Sequence, residues 1–272
     1  MTNKILHKAK EKKNDEFYTL YEDIEKELKY YKKYLENKII YCNADDYRYS
    51  NFVKYFKNNF KELKLKKLIA TNFSTTEAYH YEYDGKKETI KSLNMFGDFR
   101  SMECLQILET VDIVITNPPF SLFREFINIL EQYEKQYLVL GSNMACSYKN
   151  IFKLIKNNKM FLSKVLRLKF LNNKKAVAVF WYTNIKKYNF KKIKLTETYD
   201  KNKYKKYDNY DAINVNKTKD IPKDYDGLMG VPISFIYKWN KKQFKLIDSI
   251  RPVINGKYFF KRFIIKNIEE KQ

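Results

Sequence analysis

The stretch DIVITNPPF, residues 112–120, places two of the chain's five prolines side by side, directly after an apolar run that suits a buried strand. Pro118 and Pro119 lack backbone N–H groups but keep their carbonyls, and Asn117, preceding a proline, is pushed toward an extended conformation. The loop from Asn117 to Phe120 is therefore stiff and rich in acceptors, and its complement is an amino group with two hydrogens to donate. Phe120 adds a ring on which a flat base can stack. The exocyclic amine of a base, such as N6 of adenine, meets each of these features. Its lone pair is delocalised into the ring. Two acceptors drawing on its hydrogens would return that lone pair to nitrogen and stabilise the charge that develops in attack on an electrophilic methyl. A base in a duplex would have to turn out of the stack to reach such a loop. Asn-Pro-Pro also serves as an ordinary turn; its place after an apolar strand and before a helix favours the chemical reading.

That place depends on the elements around it. The spacing of Ile24, Leu28, Tyr31 and Leu35 predicts a helix from about Tyr21, and Ser50 is a suitable N-cap for a second helix with Phe52, Val53, Phe56 and Phe60 on one face. KIIYC (38–42), KLIATNF, VDIVIT and QYLVLGSN read as strands, AYHYEYDGKKETIKSL as a hairpin closed by Asp84-Gly85, and SMECLQILE and SLFREFINILEQY as helices. Strands alternating with helices predict an α/β fold with a mostly parallel, doubly wound sheet. Ligands of such sheets bind beyond the carboxyl ends of the strands, where Asn117 falls. After Ile151 a helix at 151–158, a strand near 161–170 and the run AVAVFWY could complete the sheet, and Asn255-Gly256 marks a terminal hairpin.

The 54 Lys and Arg against 32 Asp and Glu give a net charge of +22, a balance suited to a polyanion. The excess is segregated: residues 1–150 carry 24 basic and 22 acidic side chains, residues 151–272 carry 30 and 10. Nine lysines between Lys186 and Lys206 are interleaved with Tyr188, Phe190, Tyr199 and Tyr204, which reads as phosphate contact with aromatic packing. Lys186, Lys187, Lys191, Lys192, Lys194, Lys203, Lys205 and Lys206 are the candidate nucleic-acid phosphate contacts. Cys42, Cys104 and Cys146 form no CxxC pair, and in their apolar settings they read as reduced core residues. Two histidines, His7 and His80, are too few for a His-built metal site. The charged N-terminus has no signal-peptide core and no apolar run reaches membrane-spanning length, so a soluble, cytoplasmic protein is expected.

The NPPF loop resembles the catalytic motif of amino-methyltransferases that use S-adenosyl-L-methionine. The stretches NDEFYTLYEDIEKEL, YCNADDYRYSNFVKYF, GDFRSMECL, DIVITNPPFSLFREFI, LGSNMACSYKNIF, VFWYTNI, YDNYDAINV and IPKDYDGLMGVPISF resemble the EcoRI-type adenine-specific DNA methyltransferase family, in order from Asn14 to Phe235. The resemblance implies a Rossmann-like methyltransferase sheet, bacterial or phage origin, and an organisation into a basic arm (1–13), a cofactor-binding and catalytic domain (14–183) and a basic DNA-recognition region (184–272). It implies that Asn117, Pro118, Pro119 and Phe120 hold the target adenine, that Phe17, Tyr18 and Thr19 line the methionine part of the cofactor, and that Asp98 and Phe99 lie near its adenine.

One departure concerns the cofactor loop. Most methyltransferases of this fold carry glycines after the first strand, where bare backbone approaches the cofactor. Here CNADD stands in that place, as in the EcoRI-type family. Cys42, Asn43 and Asp45 become the cofactor-loop candidates, with Asn43 and Asp45 toward the ammonium and methionine portion; the alternative is that Asp45 and Asp46 cap a helix. The second strand ends in Thr71-Asn72 where an acidic residue would bind the ribose, leaving Asn72 as the candidate. The expected reaction is direct methyl transfer to adenine N6 in double-stranded DNA, within a restriction-modification setting, without a metal and by a monomer. An AATT-containing palindrome is the expected target if the resemblance extends that far. The same loop would also serve an RNA adenine or a protein glutamine, and a relative that binds DNA without catalysis is a third reading.

Overall fold

A computed structural model describes residues 19–170, 173–185 and 190–269; the N-terminal arm lies outside them. The chain divides into two compact units, Met1–Asn143 with Lys164–Lys186, and Met144–Ser163 with Lys187–Gln272.

The first unit is a mixed α/β layer structure. Its helices are α1 (Tyr21–Leu28), α2 (Lys32–Leu35), α3 (Asn51–Asn58), α4 (Met102–Thr110) and α5 (Phe123–Gln132). Its strands are β1 (Ile39–Cys42), β2 (Lys67–Thr71), β3 (Tyr79–Tyr83), β4 (Glu88–Ser92), β5 (Ile113–Thr116) and β6 (Gln136–Ser142), with β8 (Leu166–Phe170) and β9 (Asn173–Thr183) after the excursion into the second unit. They form one mixed sheet in the order β4-β3-β2-β1-β5-β6-β9, with β8 paired to β9. β2, β1, β5 and β6 are parallel; β3, β4 and β9 run antiparallel to their neighbours.

Strand alternation explains the layers, because successive side chains point to opposite faces. Ile40, Cys42, Leu68, Ala70, Ile113, Ile115, Leu138, Leu140 and Trp181 share one buried core with Ile24 and Leu28 of α1 and Phe52, Val53 and Phe56 of α3. The other face takes α4 and α5: Phe123 packs on Tyr182 with ring centroids 4.8 Å apart, and Tyr137 donates to Glu131 at 2.8 Å. From β1 the chain moves outward to β2, then returns through β3, β4 and α4 to enter β5 on the opposite side of β1. The strand order therefore reverses between β1 and β5.

The sheet is mixed rather than mostly parallel, because β3, β4, β8 and β9 join a parallel centre as antiparallel strands, and two local details also differ from the sequence reading. The Tyr21 helix breaks after Leu28 and resumes at Lys32, yet Ile24, Leu28, Tyr31 and Leu35 are all fully buried as their spacing requires. In the β3–β4 hairpin only Gly85 has positive φ; Asp84 instead accepts from the backbone N–H groups of Lys86 and Lys87 at 2.8 and 2.7 Å, closing the turn with its carboxylate.

The second unit contains α6 (Lys149–Lys156) and the short β7 (Phe161–Leu162). Its sheet runs β10 (Ile213–Asn214), β11 (Met229–Pro232), β15 (Arg262–Asn267), β12 (Phe244–Ile250). A separate hairpin joins β13 (Val253–Ile254) to β14 (Lys257–Tyr258) through Asn255 and Gly256, both at positive φ. No helix among the described residues is long and apolar enough to cross a membrane.

Gly97 and Gly256 offer a contrast. Both have positive φ, but a Cβ on Gly97 would sit 2.0 Å from the Asn72 carbonyl oxygen, whereas one on Gly256 would meet nothing within 4 Å. Gly256→Ala should cost about 1–2 kcal/mol from backbone strain alone. Gly97→Ala adds overpacking and should cost roughly 3 kcal/mol or more, read by urea denaturation.

Candidate active site at the strand-order reversal

The C-terminal ends of β1 and β5 flank the reversal, and they carry Asn43, Asp45, Thr116 and Asn117. In open α/β sheets this crevice is where ligands bind. The start of α3 faces the same place. Ser50 caps that helix, its Oγ accepting from Phe52 N at 3.0 Å and Val53 N at 3.4 Å, and its hydroxyl donates to Asp45 Oδ1. Asp45 Oδ2 in turn accepts from the Thr116 hydroxyl. The next helix residue does the same for the next loop residue. Asn51 Nδ2 donates to the Thr19 carbonyl at 2.8 Å, and Thr19 Oγ1 accepts from Asn117 Nδ2 at 3.3 Å. Two relays thus run from Ser50-Asn51 to Thr116-Asn117.

With Nδ2 directed at Thr19, the other end of the Asn117 amide, Oδ1, is a buried acceptor. Pro118 is buried, Pro119 and Phe120 are half-buried, and Phe120 packs against the core shared with α1 and α3. Phe120 opens a short 3₁₀ turn (Phe120–Leu122) that leads into α5, and Leu122 N donates to the Pro119 carbonyl at 3.0 Å.

The glycine-free loop after β1 needs no glycine. Among the described residues no positive φ falls between Asn43 and Ser50, so ordinary residues fit throughout. Its shape comes from side chains. Arg48 grips Asp46 with two bonds of 2.7 and 3.0 Å and reaches Glu77 at 3.0 Å, while Asp45 N donates to the Thr71 carbonyl at 3.0 Å. Ser50, rather than Asp45 or Asp46, caps α3. Asn43 is 5% exposed, and among the described residues its Oδ1 has no hydrogen-bond donor. A buried amide oxygen without a donor is costly in a finished fold and suits a site completed by a ligand's N–H group.

Cys42 is fully buried, and burial, with the nearby Asp45 carboxylate, pushes its thiol well above the ordinary range. Burial likewise raises Cys104, and it pushes Cys146 up to about 12. None of the three is a thiolate nucleophile at neutral pH.

The loops after β2 and before α4 meet at Ser74 N, which donates to the Phe96 carbonyl at 2.9 Å. Asn72 spends its amide on its own loop, accepting from Tyr79 N at 2.9 Å and donating to the Glu77 carbonyl at 3.0 Å. Burial raises the Asp98 carboxyl, but Arg100, bonding through its side chain and its N–H, outweighs it and holds Asp98 below the usual carboxylate range. Phe99 is buried against Phe126 with centroids 5.1 Å apart. The open aromatic faces here belong to two residues absent from the sequence reading: Phe73, 48% exposed, and Phe96, 54% exposed with φ of +58°. Their signal in sequence was only adjacency to Asn72 and Gly97. Phe17, Tyr18, Lys186 and Lys187 lie outside the described residues.

Of the remaining lysine candidates, Lys192 pairs with Glu269, Lys203 with Glu197, and Lys206 with Asp211. Lys191, Lys194 and Lys205 are exposed.

Comparison with known proteins bears on this geometry. The family model described as adenine-specific methyltransferase EcoRI matches residues 5–174 and 169–270. The chain belongs to this family. Type II methyltransferase M.EcoRI of Escherichia coli is 44% identical over 98% of this chain and 97% of its own length. Type II methyltransferase M.MgeORF184P of Mycoplasma genitalium is 41% identical, covering 90% of this chain and 86% of its own, and M.MpnI of Mycoplasma pneumoniae is 40% identical, covering 90% and 85%. No solved structure matches. In this methyltransferase the NPPF loop, the CNADD loop and Thr19, far apart in sequence, converge at one crevice.

The Asp45 bridge is open to a double-mutant cycle. Asp45→Ala and Thr116→Val should each destabilise by about 1–3 kcal/mol in urea denaturation. Together they should cost less than the sum by at least ~0.5 kcal/mol, and additive effects would dissolve the bridge.

Proposed function

We propose that this type II DNA adenine methyltransferase acts on N6 of an adenine turned out of duplex DNA, with its reaction centre at Asn117. The observation that carries this reading is the double relay, which fixes a donor-poor Asn-Pro-Pro-Phe loop at the crevice of a doubly wound, Rossmann-like sheet. S-adenosylmethionine supplies a methyl group activated on a sulfonium. Asn43 Oδ1 suits its ammonium, and the Asp45 carboxylate adds negative charge near the cationic portion. Thr19 lines the methionine side. Phe73 and Phe96 are our assignment for stacking its purine, beside Asn72 and Asp98. A bulky side chain held at positive φ, as Phe96 is, carries strain of the kind that clusters at ligand sites.

The loop's work is electrostatic. Asn117 Oδ1 accepts one N6 hydrogen. Because the Pro119 carbonyl already receives Leu122 N, the Pro118 carbonyl is our choice for the second acceptor. As N6 gains a fourth bond it becomes positive, and both acceptors stabilise that charge until a proton leaves to water. Neither proline offers an N–H that would repel the amine. Phe120 supports the base from the core side, which fixes the line of approach. Of the described lysine candidates, Lys191, Lys194 and Lys205 are exposed and are our choice for phosphate contacts, which give affinity without sequence choice.

Sequencing DNA for N6-methyladenine from cells expressing the wild type or Asn117→Ala tests the reading and reports the target, an AATT palindrome among the possibilities. Asn117→Ala should abolish the mark while leaving S-adenosylmethionine affinity within a few-fold. Loss of both would move Asn117 out of the catalytic role. Charge reversal of Lys191, Lys194 and Lys205 should lower the salt slope of DNA binding by about one for each phosphate no longer neutralised. An unchanged slope places the DNA-binding surface elsewhere.

A further inference from the structure

Tyr258, Phe259 and Phe260 follow one another at the end of the β13–β14 hairpin and are 70%, 37% and 84% exposed. Among the described residues no other large hydrophobic side chain is as exposed as Phe260. Single exposed apolar residues are ordinary, but three adjacent aromatic ones form a patch that marks an interaction surface.

The exposure is not that of a loose end. Asp208 N donates to the Val253 carbonyl, Val253 N to Asn209 Oδ1, Gly256 N to Asp208 Oδ2, and Phe259 N to the Pro252 carbonyl, each at 2.8 Å. Ile254 is buried with Tyr207, Ala212 and Ile264. The hairpin is a stiff mount that holds its aromatic tip out in water. The surroundings are basic. The Arg251 guanidinium lies 5.3 Å from the Tyr258 ring centre and Lys257 is exposed, whereas the Lys261 ammonium donates to the Ser147 carbonyl at 3.0 Å. The nearby Asp208 carboxylate is engaged by the turn.

Apolar rings within a cationic frame fit a partner with flat apolar faces inside an anionic envelope, which is the base stack of a nucleic acid. A second copy of a chain carrying +22 would bring like charge against like. We propose that this hairpin is an aromatic wedge that enters the base stack of the bound duplex, Phe260 leading, while Lys257 and Arg251 hold the flanking phosphates. Wedges of this kind partly unstack a base step and bend the duplex. The proposal rests on the reading of duplex DNA as substrate.

The test uses the full chain and an end-labelled duplex of about 30 base pairs carrying the methylated sequence found in vivo, with end-to-end energy transfer as the reading of bending. Wild type should shorten the end-to-end distance. Phe260→Ala should lose most of that change and bind roughly 10-fold to 100-fold more weakly, the range expected when one base loses its stacking partner. Phe260→Trp should restore both, and the melting temperature of each variant should match wild type because the side chain is exposed. Wild type that methylates duplex DNA while Phe260→Ala bends and binds it normally overturns the wedge alone. Wild type that methylates no duplex overturns the substrate reading and the wedge together. A Phe260→Ala variant that bends DNA normally but converts a sedimenting dimer to monomer makes the patch an interface between copies, which also overturns the wedge.

Discussion

The Asn117–Phe120 loop is held by the N-terminus of one helix. Ser50 and Asn51 open α3, and through Asp45 and Thr19 they reach Thr116 and Asn117. Consecutive residues on the helix fix consecutive residues on the loop, so both the position and the rotation of the Asn117 amide are set. A charged link and a neutral link share the task.

This arrangement accounts for the missing glycines. In a glycine-rich cofactor loop the backbone bends into conformations that side chains resist, and bare N–H groups face the ligand. Here the backbone between Asn43 and Ser50 stays in ordinary regions, and carboxylates do the shaping: Asp45 toward Thr116, Asp46 toward Arg48. Glycine appears instead at Gly97, where the loop before α4 closes onto the Asn72 carbonyl too tightly for any side chain.

Aromatic residues divide by environment. Tyr41, Phe52, Phe56, Phe123, Phe126 and Trp181 are fully or almost fully buried and build the two faces of the sheet. Phe73, Phe96, Tyr258 and Phe260 stand in solvent on turns or strand ends that backbone hydrogen bonds hold in place.

Much of this was legible in the chain. The 3.6-residue spacing of Ile24, Leu28, Tyr31 and Leu35, the Ser50 cap, the apolar β1, β2, β5 and β6, and the Asn-Pro-Pro-Phe loop all follow from local preferences, because burial of one face and the lack of N–H donors are properties of short segments. Tertiary structure decided which of those residues meet. Nothing in the spacing says that Asp45 bonds Thr116, that Asn117 turns to Thr19, that Phe99 is core while Phe73 and Phe96 are open, or that half of the six described lysine candidates are paired to carboxylates. The sequence by itself determined the elements and the donor-poor character of the Asn-Pro-Pro-Phe loop. Only the fold decided its partners, because the order reversal between β1 and β5 brings together strand ends more than 70 residues apart, and no local rule reaches that far.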